Sequence, residues 1–490
     1  MSNMLHLSRA SGTSRKAFFL AAASAFSLAG LLQAQPLPLT DLGLLPGDLA
    51  IAPAVNSQQD FVAAKGGEQY LVAWSDYRAR SVNSQTIQSD GDIFGIRVDQ
   101  SGNPIDAAPF LIAGGMGLQQ KPQIAWNGEN WLVLYTSQVP EAGFFEDRLR
   151  AVRVSPAGGV LDAAPIVIPP TQFTPDTIGL QVAGLNGQWL LTRCVYHSDG
   201  YGTFLGGQRI SGAGALLDAA PIMLSDWIYG PTRTLVANGE YLVVGPDWNE
   251  STTIKARRIS ANAQPIGVAF TVPSLNIATN GSDYYATWIS GFVNLVGSRM
   301  TATGTLITPA GTMLVPDFGQ YNQASLSHDG TQWWLVWGAA DQLRTIRISA
   351  AGAVLDAGGG VLMPIVIGGT NNNAYTPTLL PRTGGGVNLL WYDVRVALGY
   401  DTNVFALPIS PANVPATERC LSTGTQNQRS ADLATEPGCT SALAFISESA
   451  NSRGVVGHLL GAACNATTTE PIVVHNAPTM DRVGIAWNGS

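Results

Sequence analysis

Apolar and polar positions alternate along this chain in short runs, and nearly every run stops at Gly, Pro, Asn or Asp. Residues 122–135 (PQIAWNGENWLVLY) show the unit: an apolar segment, the turn Asn127-Gly128, and a second apolar segment. Period-two alternation on both sides of an Asn-Gly pair is the chemistry of a β-hairpin, because that pair accepts the positive φ values of a tight hairpin turn. The phrase returns at 234–244 (TLVANGEYLVV), 276–288 (NIATNGSDYYATW) and 324–337 (ASLSHDGTQWWLVW), and residues 483–490 (VGIAWNGS) begin it again. After the second strand comes a variable loop. A third strand follows (149–154, LRAVRV), then a Gly-rich turn (155–159, SPAGG) and a fourth short strand (165–168). Four strands per repeat predict one antiparallel sheet per repeat.

The turn glycines Gly67, Gly128, Gly187, Gly239, Gly281, Gly330, Gly385 or Gly386, Gly438 and Gly489 recur at intervals of 42 to 61 residues. That period fits a four-stranded propeller blade with loops of changing length. Stacked sandwich domains need about 100 residues each, and helical periodicity is absent. The expected fold is therefore an all-β propeller of four-stranded antiparallel blades. Eight repeats are read across residues 60–476, with seven to nine compatible. Within the N-terminal segment 35–59, residues 48–53 (DLAIAP) resemble an orphan closing strand. Residues 477–490 read as the start of a further repeat, so the chain is expected to be a fragment of a longer one.

Composition narrows the setting. Only 12% of the 490 residues are charged, against a usual level of about 25%. The formal net charge is −8, and no basic face for phosphate is visible, so nucleic acid is not an expected partner. At the N-terminus Arg9, Arg15 and Lys16 precede the apolar run 17–32 (AFFLAAASAFSLAGLL), with Ala34 as a candidate cleavage residue. A helical membrane span needs about 20 apolar residues, so residues 1–34 read as a cleaved signal peptide, with an uncleaved anchor as the alternative. The expected location is secreted, periplasmic or cell-surface, with no membrane span after cleavage and a monomeric state. Export permits disulfides, and among Cys194, Cys420, Cys439 and Cys464 a bond from Cys420 or Cys464 to Cys439 is expected.

Residues 74–78 (WSDYR) are followed by 92–98 (DIFGIRV), and residues 391–395 (WYDVR) by 401–405 (DTNVF). With the later Gly-x-x-Leu-Asp turn, this pattern resembles the repeat of large secreted bacterial β-propeller proteins. The resemblance implies a fold and an export route rather than a reaction. Read from the residues alone, Trp74, Trp126, Trp288, Trp337 and Trp391 fill wedges between blades. Asp76 and Asp393 cap turns next to Arg78 and Arg395. Arg97, Arg153, Arg209, Arg258, Arg299 and Arg347 recur at one register. A residue repeated in every blade serves the scaffold, because a single active site needs each residue once.

Candidate chemistry is sparse. No cofactor is expected. Calcium is the sharper alternative for the acids, with Asp76, Asp90, Asp92, Asp393 and Asp401 as hard oxygen ligands beside Asn403, although no twelve-residue EF-hand loop is present. The histidines show no metal spacing, no Gly-x-Ser-x-Gly elbow occurs, and residues 327–333 (SHDGTQW) miss the Asp-box pattern of sialidases by one position. No catalytic residue is assigned. The loops at 75–91, 139–147 and 196–203 are expected to present a ligand face, with Phe144, Phe145, Tyr196, Tyr201 and Phe204 as contacts. The reading is a binding or scaffold module for extracellular glycan or protein. The alternative is a polysaccharide hydrolase or lyase working at the propeller channel.

Overall fold

The computed structural model describes residues 52–53, 58–77, 91–141 except 116, 144–170, 179–196, 203–226, 230–247, 250, 253–318 except 292 and 317, 324–339, 342–356, 375–393, 403–424, 427–435, 441–449, 452–460 and 472–476. The segments 1–34 and 477–490, together with Asp90, Tyr201, Asp401, Cys439 and Cys464, lie outside the described residues. Their assignments therefore remain expectations. Among the described residues all regular structure is β-strand, and no helix is long and apolar enough to cross a membrane.

Each sheet is an antiparallel meander whose strands pair in chain order. Blade 1 spans residues 58–113, blade 2 119–167, blade 3 181–225, blade 4 233–272, blade 5 277–315, blade 6 324–349 and blade 7 375–420. Blade 6 has three strands among its described residues, and the others have four. The first strands of successive blades are neighbours, so they form the innermost layer.

Seven buried clusters fill the seven wedges between adjacent blades. Trp131 with Leu71 and Ile93 joins blades 1 and 2, and Trp189 with Leu132 and Leu149 joins blades 2 and 3. Tyr241, Tyr284 and Trp333 lie at the next three wedges. Trp391 packs with Trp334 between blades 6 and 7. The last cluster sets Tyr70 and Trp74 against Leu390 and Val404, joining blade 1 to blade 7. The ring therefore closes at seven blades, within the expected range of seven to nine. Residues 427–476 form a further four-stranded meander with the same first-strand bulge, between Arg429 and Asp432, as blade 1 has between Gln59 and Val62. This sheet follows the closed ring in the chain and holds no place in it. Of residues 48–53, read as an orphan closing strand, the described Ala52–Pro53 pair with Thr423–Gly424, just past blade 7.

The wedge aromatics are only partly those expected. Trp74, Trp337 and Trp391 are buried, whereas Trp126 and Trp288 are half-exposed. The position that recurs across the ring opens the second strand: Tyr70, Trp131, Trp189, Tyr241, Tyr284 and Trp333. There Trp131 Nε1 donates to Ala64 O at 3.1 Å and Trp189 Nε1 donates to Ala125 O at 3.0 Å, each reaching back into the preceding blade.

The third-strand arginines do scaffold work, as their recurrence implies. Arg97, Arg153, Arg209 and Arg347 each grip the aspartate nine residues on (Asp106, Asp162, Asp218, Asp356), which also accepts the arginine's own backbone N–H. The outer Nη1 of Arg97, Arg153 and Arg347 donates to a turn carbonyl of the next blade: Pro156, Gly212 and Pro411. Blades 4 and 5 have Gly267 and Thr308 where the aspartate would stand. Their arginines instead pair with the residue just ahead of the wedge aromatic, Arg258 with Glu240 at 2.8 Å and Arg299 with Asp283 at 2.7 Å. Blades 1, 3 and 6 carry Gln69, Gln188 and Gln332 at that position, and these amides donate to the next blade's turn. The acid has moved from one side of the guanidinium to the other, and the pairing is kept. Burial pushes the Asp218 carboxyl up, but the side-chain and backbone bonds from Arg209 outweigh it and hold its pKa below the usual value.

Candidate functional site

A meander running outward from the axis places its first-to-second and third-to-fourth turns at one end of the ring. The second-to-third connections and the links between blades lie at the other. The first end is uniform. Its hairpin turns use left-handed pairs such as Asn186-Gly187 (φ 53° and 76°) and Asn238-Gly239 (φ 54° and 73°), and the arginine–acid pairs sit there. The second end is irregular. The second-to-third connection covers two residues in blade 2 (142–143), three in blade 5 (291–293), six in blade 3 (197–202) and fifteen in blade 1 (77–91). Diversity held on a rigid scaffold is the usual arrangement of a binding face.

Of the expected aromatic contacts, Phe144, Phe145, Tyr196 and Phe204 belong to this end, on strands rather than loops. Residues Trp131–Glu141 and Phe144–Val154 form one long hairpin in which Phe144 opposes Glu141 and Phe145 opposes Pro140. Residues 139–141 and 144–147 are therefore paired strand rather than loop. Tyr196 opposes Thr203, and Phe204 opposes Val195, at the tip of the blade 3 hairpin. Both of those rings are half-buried.

The acids proposed for calcium are placed in cross-strand pairs. Asp76 stands opposite Asp92, and Asp393 opposite Asn403. Asp76 is buried and accepts Trp74 Nε1 at 2.8 Å. Asn403 Oδ1 accepts the Ser422 hydroxyl at 3.2 Å. Among the described residues no three His, Cys, Asp or Glu side chains gather as metal ligands. These contacts give Asp76 and Asn403 parts in positioning strand ends. No disulfide joins described residues: Cys194 is a buried thiol, and Cys420 Sγ lies 3.8 Å from Ser422 O. Asp329, from the near-match to an Asp-box, is a staple between blades. It accepts Trp334 Nε1 at 2.8 Å and Gly386 N of blade 7 at 2.8 Å.

Charges that sequence reading did not single out stand where the innermost strands begin, at the mouth of the channel on the irregular end. In blades 1 and 2 the first strand bulges at equivalent places, and the bulge residues Asp60 (φ 52°) and Lys121 (φ 54°) are non-glycines in the left-handed region. Burial raises the Asp60 carboxyl pKa, while the Lys121 charge and the Ser75 hydroxyl oppose the rise. Lys121 N donates to Ser75 Oγ at 3.0 Å, which ties the two bulges together. Arg233 opens the first strand of blade 4 and is exposed. The available signal was that these charges interrupt otherwise apolar first strands.

No protein family matches the sequence, and no curated protein does. Solved structures resemble it at low identity. A protein of unknown function from Dyadobacter fermentans aligns at 11% identity and TM-score 0.40, over 72% of this chain and 96% of its own. The β-propeller domain of the Trilobed protease from Pyrococcus furiosus aligns at 8% and 0.42, over 75% and 97%. Pyrococcus horikoshii acylaminoacyl peptidase aligns at 6% and 0.44, over 82% of this chain and 59% of its own, so the chain spans less than two thirds of that enzyme. Each likeness is too distant to assign an activity.

Proposed function

We propose that this protein is a secreted, non-catalytic propeller whose irregular end binds extracellular glycan or protein ligands. One observation carries the reading. The recurring third-strand arginines are absorbed by acids of their own blades at the regular end, so chemical variety is left to the opposite end. The basic lead and apolar run of residues 1–34 support export, and the repeat's resemblance to secreted propeller proteins agrees with it. The long hairpin of blade 2, whose strand contains Phe144 and Phe145, and the blade 3 hairpin end with Tyr196 and Phe204 would supply contact surface, with Tyr201 assigned to the same face from the sequence alone.

The test pairs a binding screen with a turnover assay. Purified mature chain is applied to an array of neutral and acidic glycans and to extracellular proteins, and every glycan that binds is then incubated with the protein and checked for cleavage. Binding without cleavage is expected. Cleavage would overturn the reading and favour a hydrolase or lyase at the channel, and failure to bind anything would equally sink it.

A further inference from the structure

We propose that Arg233 is the carboxylate-recognition point of a site for acidic glycans, at the channel mouth on the irregular end. This rests on the reading that this end binds extracellular ligands, and narrows it to sugars bearing a uronate carboxylate.

Arg233 differs from the scaffold arginines. Arg97, Arg153, Arg209, Arg258, Arg299 and Arg347 each face an acid, whereas Arg233 has no hydrogen-bond acceptor and no ion pair among the described residues. Its neighbours in sequence face the other way: Thr232 Oγ1 donates to Gly179 O at 2.9 Å, and Thr234 Oγ1 lies 3.2 Å from Thr192 Oγ1, both toward blade 3. Strand alternation turns Arg233 away from blade 3, onto the face that carries Leu235 in the wedge with blade 5. The side chain is exposed, and desolvation by the surrounding protein lowers its pKa. A guanidinium does not shed its proton in that setting, so the charge persists without a partner.

The same register in the neighbouring first strands carries Gln123, Gln181, Asn276, Ser325 and Thr378. Gln181 Nε2 donates to Gln123 Oε1 at 3.2 Å, across two adjacent blades. Blade 1 has Val62 at this register, and the other neighbours supply amides and hydroxyls, which both donate and accept, as sugar hydroxyls need. A planar fork matches one carboxylate in bidentate fashion.

The experiment measures binding of trigalacturonate, and of its carboxyl-reduced neutral counterpart, to the whole protein by calorimetry. The wild type is expected to prefer the acidic sugar by about tenfold or more. R233Q is expected to lose that preference while keeping its affinity for the neutral sugar and its melting temperature. R233K retains charge without the fork and is expected to fall between the two, which keeps the test decisive should R233Q fold poorly. Equal affinity of the wild type for both sugars, an acidic preference unchanged in R233Q and R233K, or no binding of trigalacturonate would overturn the proposal. Binding of neutral glycans or proteins alone would remove this site and leave the broader reading standing.

Discussion

Arg382 Nε donates to the carbonyl of Gln100 at 2.6 Å, and this bond joins blade 7 to blade 1. From blade 1 to 2, 2 to 3 and 6 to 7 a turn carbonyl of the next blade is reached by a third-strand arginine, and from blade 3 to 4 by Gln188. In blade 7 that third-strand position is Pro408, which has no donor, opposite Asn388. Arg382 arrives from the first hairpin turn instead. Thr383 N donates to Gln100 Oε1 at 2.7 Å, and Tyr70 Oη donates to Pro381 O at 2.6 Å. Substitution R382A is expected to lower unfolding stability by about 1–3 kcal/mol, the range for a lost hydrogen bond to a charged group. Urea titration followed by tryptophan fluorescence measures it, and an unchanged midpoint would show that the closure does not depend on this residue.

The exchange of acids between blades can be tested by moving one back. D283N removes the partner of Arg299 and is expected to cost about 0.5–1 kcal/mol, as for a partly exposed pair. Thr308 occupies the place that Asp218 holds in blade 3, since Ile307 N bonds Arg299 O as Leu217 N bonds Arg209 O. T308D in the D283N background should restore most of the loss. A double variant no more stable than D283N would show that the two positions are not interchangeable.

Asp329 links stability to acid. Burial pushes its carboxyl pKa up, but bonds from Trp334 Nε1 and from the backbone of Gly386, Gln332 and Thr331 outweigh this, and the folded value lies below the usual 3.8. A depressed folded pKa stabilises the native state fully above the unfolded value, and the benefit disappears as pH falls through the folded one. D329N should therefore cost about 1–3 kcal/mol at neutral pH, with the gap to wild type narrowing below pH 3.8. Denaturant titrations of both proteins at neutral and acidic pH decide this, and a gap independent of pH would count against it.

Cys194 is expected to be inert in the folded protein. Desolvation pushes its thiol pKa above the usual 9.0, and the Gly230 backbone only partly counters that. Low thiolate content and no solvent access both slow alkylation. Peptide mapping after iodoacetamide treatment should find Cys194 modified only in denatured samples. Modification under native conditions would mean that blade 3 opens locally.

Local chemistry carried most of the fold in legible form. Asn127-Gly128 and Asn238-Gly239 demand tight turns wherever they fall, so the hairpins, the four-strand repeat and the propeller could be read directly. The Leu-Asp ending of the third-to-fourth turn and the arginine register were both visible as well. Their union was not, since Arg97 and Asp106 meet only because the chain doubles back between them. The number of blades depends on the wedge angle and on contacts such as Tyr70 with Pro381, 311 positions apart, which no local pattern encodes. Residues 427–476 repeat the blade chemistry without a seat in the ring, so counting repeats overcounts blades. Residues 139–147 read as a loop because Ala142-Gly143 is not a typical hairpin pair. Arg233, Asp60 and Lys121 escaped notice because each occurs once, in a place where repetition was the guide.

Among the described residues no blade draws its strands from two distant stretches of the chain. Blade 1 and blade 7 are each built from one continuous stretch, and what holds them together is side-chain contact plus the two-residue pairing of Ala52–Pro53 with Thr423–Gly424. Under load such a band parts at its buckle, whereas the turns between other neighbours are also tethered by the polypeptide itself. Pulling the molecule apart, or warming it slowly, should therefore uncoil it from that one junction, and the channel would widen as a cleft before any blade lost its own strands.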